Sequence, residues 1–124
     1  MIVGLGIELV DVPRFEAADA RWGERGRARL FTEGERAYAA RRASGVESLA
    51  VRFAAKLAAR RALGGGRLGW TEIEVVRRRG RAPTLELHGA AARAAVRLGV
   101  RRMALTLTHD PACCIGQVVL ESDA

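Results

Sequence analysis

Between Glu47 and Leu63 the chain carries Leu49, Phe53 and Leu57 at steps of four, surrounded by alanines, and then stops at Gly64-Gly65-Gly66. Steps of four place these side chains on one face of a helix, and a glycine run ends a helix because glycine accepts positive φ at no steric cost. Ser44 and Glu47 have the spacing of a capping box at the start of this segment, and Thr32 and Glu35 have it at the start of an earlier one. Two helices are predicted there. The first apolar face must be buried against another element, so the rest of the chain has to supply one.

The N-terminus supplies a strand. Val3, Leu5, Ile7 and Leu9 alternate with Gly4, Gly6 and Glu8, the period of a strand with one apolar face, and Glu8 falls on the glycine side. Asp11 followed by Pro13 is a helix start, and a basic helix or loop with Arg14, Arg21, Arg25, Arg27 and Arg29 follows it. Beyond the glycines, Thr71 to Arg77 and Thr84 to Leu87 read as two strands joined by a turn holding Arg79, Gly80 and Pro83. An alanine-rich helix runs from Gly89 to Leu98 and closes on Gly99. Met103, Leu105, Leu107 and His109 then alternate with Thr106, Thr108 and Asp110, Pro111 breaks the run, and Cys114 to Glu121 forms the last strand. The order predicts an α+β fold with a mostly antiparallel sheet, and 124 residues suit a single domain spanning 1–124.

Charge and cysteine usage narrow the function classes. The formal charge of +7 attracts acidic partners. Aromatic residues make up only 5%, and no strand interleaves basic with aromatic residues, which argues against nucleic acid as the partner. The opening Met-Ile-Val-Gly-Leu-Gly is no leader, and no window approaches the roughly 20 apolar residues that cross a bilayer, so a cytoplasmic protein without a membrane span is expected. Cys113 and Cys114 are adjacent on an apolar run, which suits strand packing rather than a disulfide or a metal site. Lys56 is the one lysine among 21 cationic residues.

That lysine lies in Arg52-Phe53-Ala54-Ala55-Lys56-Leu57-Ala58, which resembles the signature helix of the holo-acyl-carrier-protein synthases, a 4′-phosphopantetheinyl transferase family. Three further segments resemble the same family in kind, order and spacing. They are Gly4-Leu5-Gly6-Ile7-Glu8-Leu9-Val10, Leu30-Phe31-Thr32-Glu33 with Glu35, and Leu105-Thr106-Leu107-Thr108-His109-Asp110. The resemblance implies transfer of the phosphopantetheine arm of coenzyme A to a serine of an acyl carrier protein, with Mg2+ as cofactor and adenosine 3′,5′-bisphosphate as the second product. It also implies a homotrimer with a site at each subunit boundary.

Carried over residue by residue, the resemblance implies that Lys56 binds phosphate, and that His109 and Glu8 join it at the catalytic centre. Arg52, Arg60, Arg61, Gly64, Gly65, Gly66, Pro83 and His109 would hold coenzyme A, Glu8 and Asp110 the metal, and Arg14 and Arg21 the acidic carrier. Without that context, Lys56 would read as a solvated helix lysine, His109 as a packed strand residue and Asp110 as a turn former before Pro111. Three positions depart from the family pattern. Glu8 stands for an aspartate, Ala82 for the basic residue before Pro83 with Arg81 one place earlier, and Leu57 for an acidic metal ligand. Two readings stay open: a transferase whose metal rests on Glu8, Asp110, phosphate oxygens and water, or a member that binds coenzyme A or a carrier without transfer.

Overall fold

The computed structural model describes residues 1–123. In chain order the elements are β1 (Ile2–Asp11), α1 (Val12–Leu30), α2 (Glu33–Ala40), α3 (Gly45–Ala62), a short 3-10 turn (Trp70–Glu72), β2 (Ile73–Val76), β3 (Thr84–Leu87), α4 (Gly89–Leu98), β4 (Arg102–His109) and β5 (Cys113–Glu121). The α+β architecture is as expected. All strand pairs are antiparallel and fall into two sheets, β1-β5-β4 and the hairpin β2-β3.

Local chemistry accounts for most of the boundaries. Asp11 caps α1 by accepting the Arg14 amide at 2.8 Å, with Pro13 in the first turn. Thr32 and Glu35 form the full capping box of α2. Ser44 is also the N-cap of α3, but its side chain makes no capping bond, so the second box is absent and α3 starts two residues before Glu47. The strand expected over Thr71–Arg77 is shorter because its first residues form the 3-10 turn. The segment after Asp11 is helical, with a break at Gly23 (φ 61, ψ −152) that buried Asp19 and Arg27 bridge through two hydrogen bonds of 2.8 and 2.7 Å.

Helix α3 lies across one face of β1-β5-β4 at a distance set by glycine. A Cβ on Gly4 would meet the Ala62 carbonyl, one on Gly6 the Ala58 carbonyl, and one on Gly116 the Ala54 backbone. Bare backbone on the sheet and Ala54, Ala55, Ala58, Ala59 and Ala62 on the helix, all buried, let the two approach this closely. Two apolar clusters flank the seam. One joins Ile73, Val75, Leu85, Val118 and Leu120 to the alanine face, and the other gathers Phe15, Phe31, Leu49 and Cys114. Cys114 is packed as expected, and burial pushes its thiol up to about 11.

Because the glycine side of β1 faces the helix, its apolar row faces outward. Leu5, Ile7 and Leu9 are 56%, 58% and 59% exposed. Three large apolar residues in one row are more than scattered surface hydrophobics. Among the described residues, no helix is long and apolar enough to cross a membrane.

The close helix–sheet contact has a testable cost. Gly6→Ala is expected to destabilise the fold by about 1–3 kcal/mol through overpacking against Ala58, read as a lower urea midpoint at unchanged slope. A wild-type midpoint would mean that α3 can move off the sheet.

Candidate active site

Helix α3 carries four of the cationic residues that the sequence singles out, and the structure divides them among three environments. Arg52 sits toward its N-terminal half, Lys56 in the middle, and Arg60 and Arg61 in the last turn. Arg52 and Arg61 are nine residues apart, about 13 Å along the axis.

Lys56 is fully buried. Its ammonium forms an ion pair with Glu35 Oε1 at 2.7 Å and donates to the carbonyl oxygens of Trp70 at 2.8 Å and Ile73 at 2.6 Å. These three partners use all three ammonium protons. Burial pushes its pKa below the ordinary lysine value, against the pull of Glu35. In this structure the hairpin β2-β3 and the segment before it cover Lys56, and its charge is committed internally rather than presented to an open cavity.

Arg52 is the opposite case. It is 5% exposed, donates from Nη1 to Ser48 Oγ at 2.8 Å, and lies with its guanidinium carbon 4.1 Å from the centroid of the Tyr38 ring. Its Nε has no hydrogen-bond partner, and among the described residues no carboxylate pairs with it. Burial pushes its pKa below the ordinary arginine value. A buried cation without a counter-charge is costly, so the position is suited to receiving an anion. It lines a cavity of about 720 Å3 together with Arg42, Ser44, Arg77, Pro83 and His109, where Glu47 is the one carboxylate. The size is that of a small-molecule pocket. The structure thus brings together Arg52, Pro83 and His109. His109 is exposed at the end of β4, so the packed-histidine alternative falls away. Tyr38, Arg42 and Arg77 are additions for which the sequence held no signal.

The second group forms at the C-terminal end of α3. Arg61 Nε meets Glu8 Oε1 at 2.5 Å, and Arg60 donates to the Gly66 carbonyl at 3.0 Å while its guanidinium carbon lies 4.5 Å from the centroid of the Trp70 ring. Gly64, Gly65 and Gly66 have φ of 94°, 72° and 89°. Each occupies a conformation that side-chain-bearing residues rarely adopt, which leaves an open backbone loop beside the arginines.

The expected metal pair does not assemble within one protomer. Glu8 lies in mid-β1 beside Gly116, whereas Asp110 lies beyond the end of β4 and spends Oδ1 on the Ala112 and Cys113 amides at 2.7 and 3.0 Å. Those amides hold the Asp110 carboxyl below its ordinary pKa, as expected of a turn former. Among the described residues, the His and carboxylate groups close enough to share an ion are Glu74, Glu86 and His88, which include neither. Leu57 is half-buried against the second apolar cluster with Phe53, and lies i,i+4 from Arg61 on the same helix face. Glu8 is therefore the sole carboxylate of the expected set at this end of α3. Magnesium is often held by one or two carboxylates, substrate phosphates and water, so the remaining donor fits an ion carried mainly by its substrate.

Arg14 and Arg21 are both exposed on α1, seven residues apart and hence on one face. Trp22, half exposed beside them, is a large apolar side chain for which charge patterning gave no hint.

Residues 4–115 match the model of the 4′-phosphopantetheinyl transferase superfamily. The chain belongs to that superfamily. A holo-[acyl-carrier-protein] synthase of Solibacter usitatus is 45% identical, with 98% of this chain and 100% of the relative aligned. The synthase of Neisseria meningitidis superposes with a TM-score of 0.88 at 26% identity, covering 98% of this chain and all of the other. That of Bacillus anthracis, solved with CoA (3′,5′-ADP), superposes with a TM-score of 0.79 at 30% identity over 99% of both chains.

For Lys56 the geometry sets a clear expectation. Lys56→Ala strands the Glu35 charge in the core and should cost about 3–5 kcal/mol by chemical denaturation. A loss below about 1 kcal/mol would show that water reaches the pair.

Proposed function

We propose that this chain transfers the 4′-phosphopantetheine arm of coenzyme A to a serine of an acyl carrier protein, releasing adenosine 3′,5′-bisphosphate. The observation that carries the reading is Arg52, a buried guanidinium without a counter-charge in a cavity shared with Arg42, Arg77 and His109. A phosphate-rich substrate supplies the missing anion. Arg61, Arg60 and the glycine loop offer further donors at the other end of α3. A reacting pyrophosphate needs such fixed donors to stabilise the charge that moves to the leaving oxygen.

The two groups work together across a subunit boundary in this proposal. The exposed row Leu5, Ile7 and Leu9 lies on the same strand as Glu8, and β4, which ends in His109, is the other edge of that sheet. Covering the row by a neighbouring copy in a homotrimer would contribute about 1–2 kcal/mol per side chain and set Glu8 and Arg61 of one protomer against His109 of the partner subunit. Glu8 would hold the Mg2+, which when bound supplies charge neutralisation on the pyrophosphate. Glu8 also takes the serine proton through water, and Arg61, released from Glu8, turns to phosphate. Arg14 and Arg21 attract the acidic carrier. A cytoplasmic setting belongs to the same proposal.

A second reading has one observation in its favour: Leu57 offers no oxygen ligand, and Arg61 already neutralises Glu8. On that reading the chain binds coenzyme A or a carrier without transfer. Mass spectrometry of apo-carrier incubated with coenzyme A, magnesium and this protein decides between them. A gain of one phosphopantetheine arm is expected, at an unusually high magnesium requirement, and Leu57→Glu should lower the half-saturating magnesium about tenfold. Bound coenzyme A with no mass gain, in wild type and variant alike, would establish the binding-only reading.

A further inference from the structure

We propose that Glu35 and Lys56 are positioning residues that hold both phosphate-binding regions in register. The proposal rests on the coenzyme A reading above. Each partner of the buried pair fixes one wall. Lys56 holds the Trp70 carbonyl, Trp70 packs against Phe53 with ring centroids 5.4 Å apart and stacks under Arg60, and Arg60 bonds the Gly66 carbonyl of the glycine loop. Lys56 also holds the Ile73 carbonyl, and Glu35 Oε2 accepts the Val75 amide at 2.8 Å. Val75 and Arg77 of that segment line the Arg52 cavity. Glu35 Oε1 meanwhile accepts the Thr32 amide at 2.8 Å, tying the start of α2 to the same point. Neither residue is exposed to touch a substrate itself.

A merely structural pair and a positioning pair behave differently when both charges are removed. Replacing a buried ion pair by apolar residues of similar volume is often neutral or stabilising, so Glu35→Leu with Lys56→Met should stay folded. The Trp70 and Ile73 carbonyls and the Val75 amide then lose their fixed partners. The expected result is a lowered but still cooperative thermal transition, a displaced Trp70 indole resonance, and a coenzyme A Kd raised about tenfold or more, with carrier KM unaltered. A folded double variant with the wild-type indole resonance and Kd would overturn the proposal.

If the double variant does not fold, Trp70→Leu, which leaves the ion pair intact, decides in its place. A raised coenzyme A Kd supports the link through Trp70, and an unchanged Kd sinks it. Should the wild-type protein itself fail to bind coenzyme A, the coenzyme A reading falls, and the indole resonance of the double variant alone decides whether the pair positions Trp70.

Discussion

The ion pair between Lys56 and Glu35 is the point through which the smaller half of the molecule is joined to the larger. Helix α2, helix α3, the turn at Trp70 and strand β2 all meet there, and each contributes a charged or backbone polar group to the same fully buried spot. Inside a low-dielectric core such groups are stable only as a complete set, since one missing partner leaves a desolvated charge. The hairpin β2-β3 pairs with no strand of the main sheet, so no backbone ladder holds it in place. Lys56 and Glu35 do that together with the apolar cluster of Ile73, Val75 and Leu85 against α3 and with Thr32, whose hydroxyl donates to Glu74 at 2.8 Å.

The second constraint is the glycine seam beneath α3. Lacking side chains, Gly4, Gly6 and Gly116 give the helix backbone contact but no apolar bulk, and the bulk of β1 is displaced to the opposite face. A strand that would have supplied core residues to its own protomer instead exports them. The same pleat that exposes Leu5, Ile7 and Leu9 places Glu8 on the helix side, within reach of Arg61. The exposed apolar row and the carboxylate that meets Arg61 are thus alternate residues of one strand.

Much of this was legible in the sequence where a local rule dominates. The Thr32–Glu35 box, the Asp11 cap, the Gly99 stop and the alternation of β1 and β4 all depend on neighbours a few residues away, and the elements form where those signals lie. Ser44 and Glu47 show the limit, because spacing permits a box without requiring the Ser44 rotamer that makes it. Lys56 shows a deeper one. Arg52, Lys56 and Arg60 at steps of four have the look of a basic stripe in water, yet the first two are buried. Tyr38 of α2 stacks on Arg52, and Trp70 and Ile73 close over Lys56; a long-range packing partner leaves no mark on the residues it covers. Glu35 was visible only as a capping residue, although its second oxygen and its partner lysine are what make it central. Glu8 and Asp110 were grouped through the resemblance, and strand register separates them within the chain.

Helix α3 therefore divides its roles by position rather than by residue type. Four of its residues are cationic and at most two turns apart from the next, yet Arg52 lacks a counter-charge, Lys56 is fully compensated, Arg60 is bound to a loop carbonyl and Arg61 faces a carboxylate. Electrostatic worth depends on what remains unsatisfied, so the buried cation with a free Nε and no carboxylate has the most to offer an incoming anion, and the fully compensated lysine has least. Retaining a lysine at the compensated position while arginine serves everywhere else is consistent with that division. A compact ammonium accommodates three converging oxygens, whereas a planar guanidinium would spread its donors beyond them. The residue most characteristic of the signature helix thus has its charge fully compensated inside the fold, while the arginines on either side of it keep donors nearer the surface.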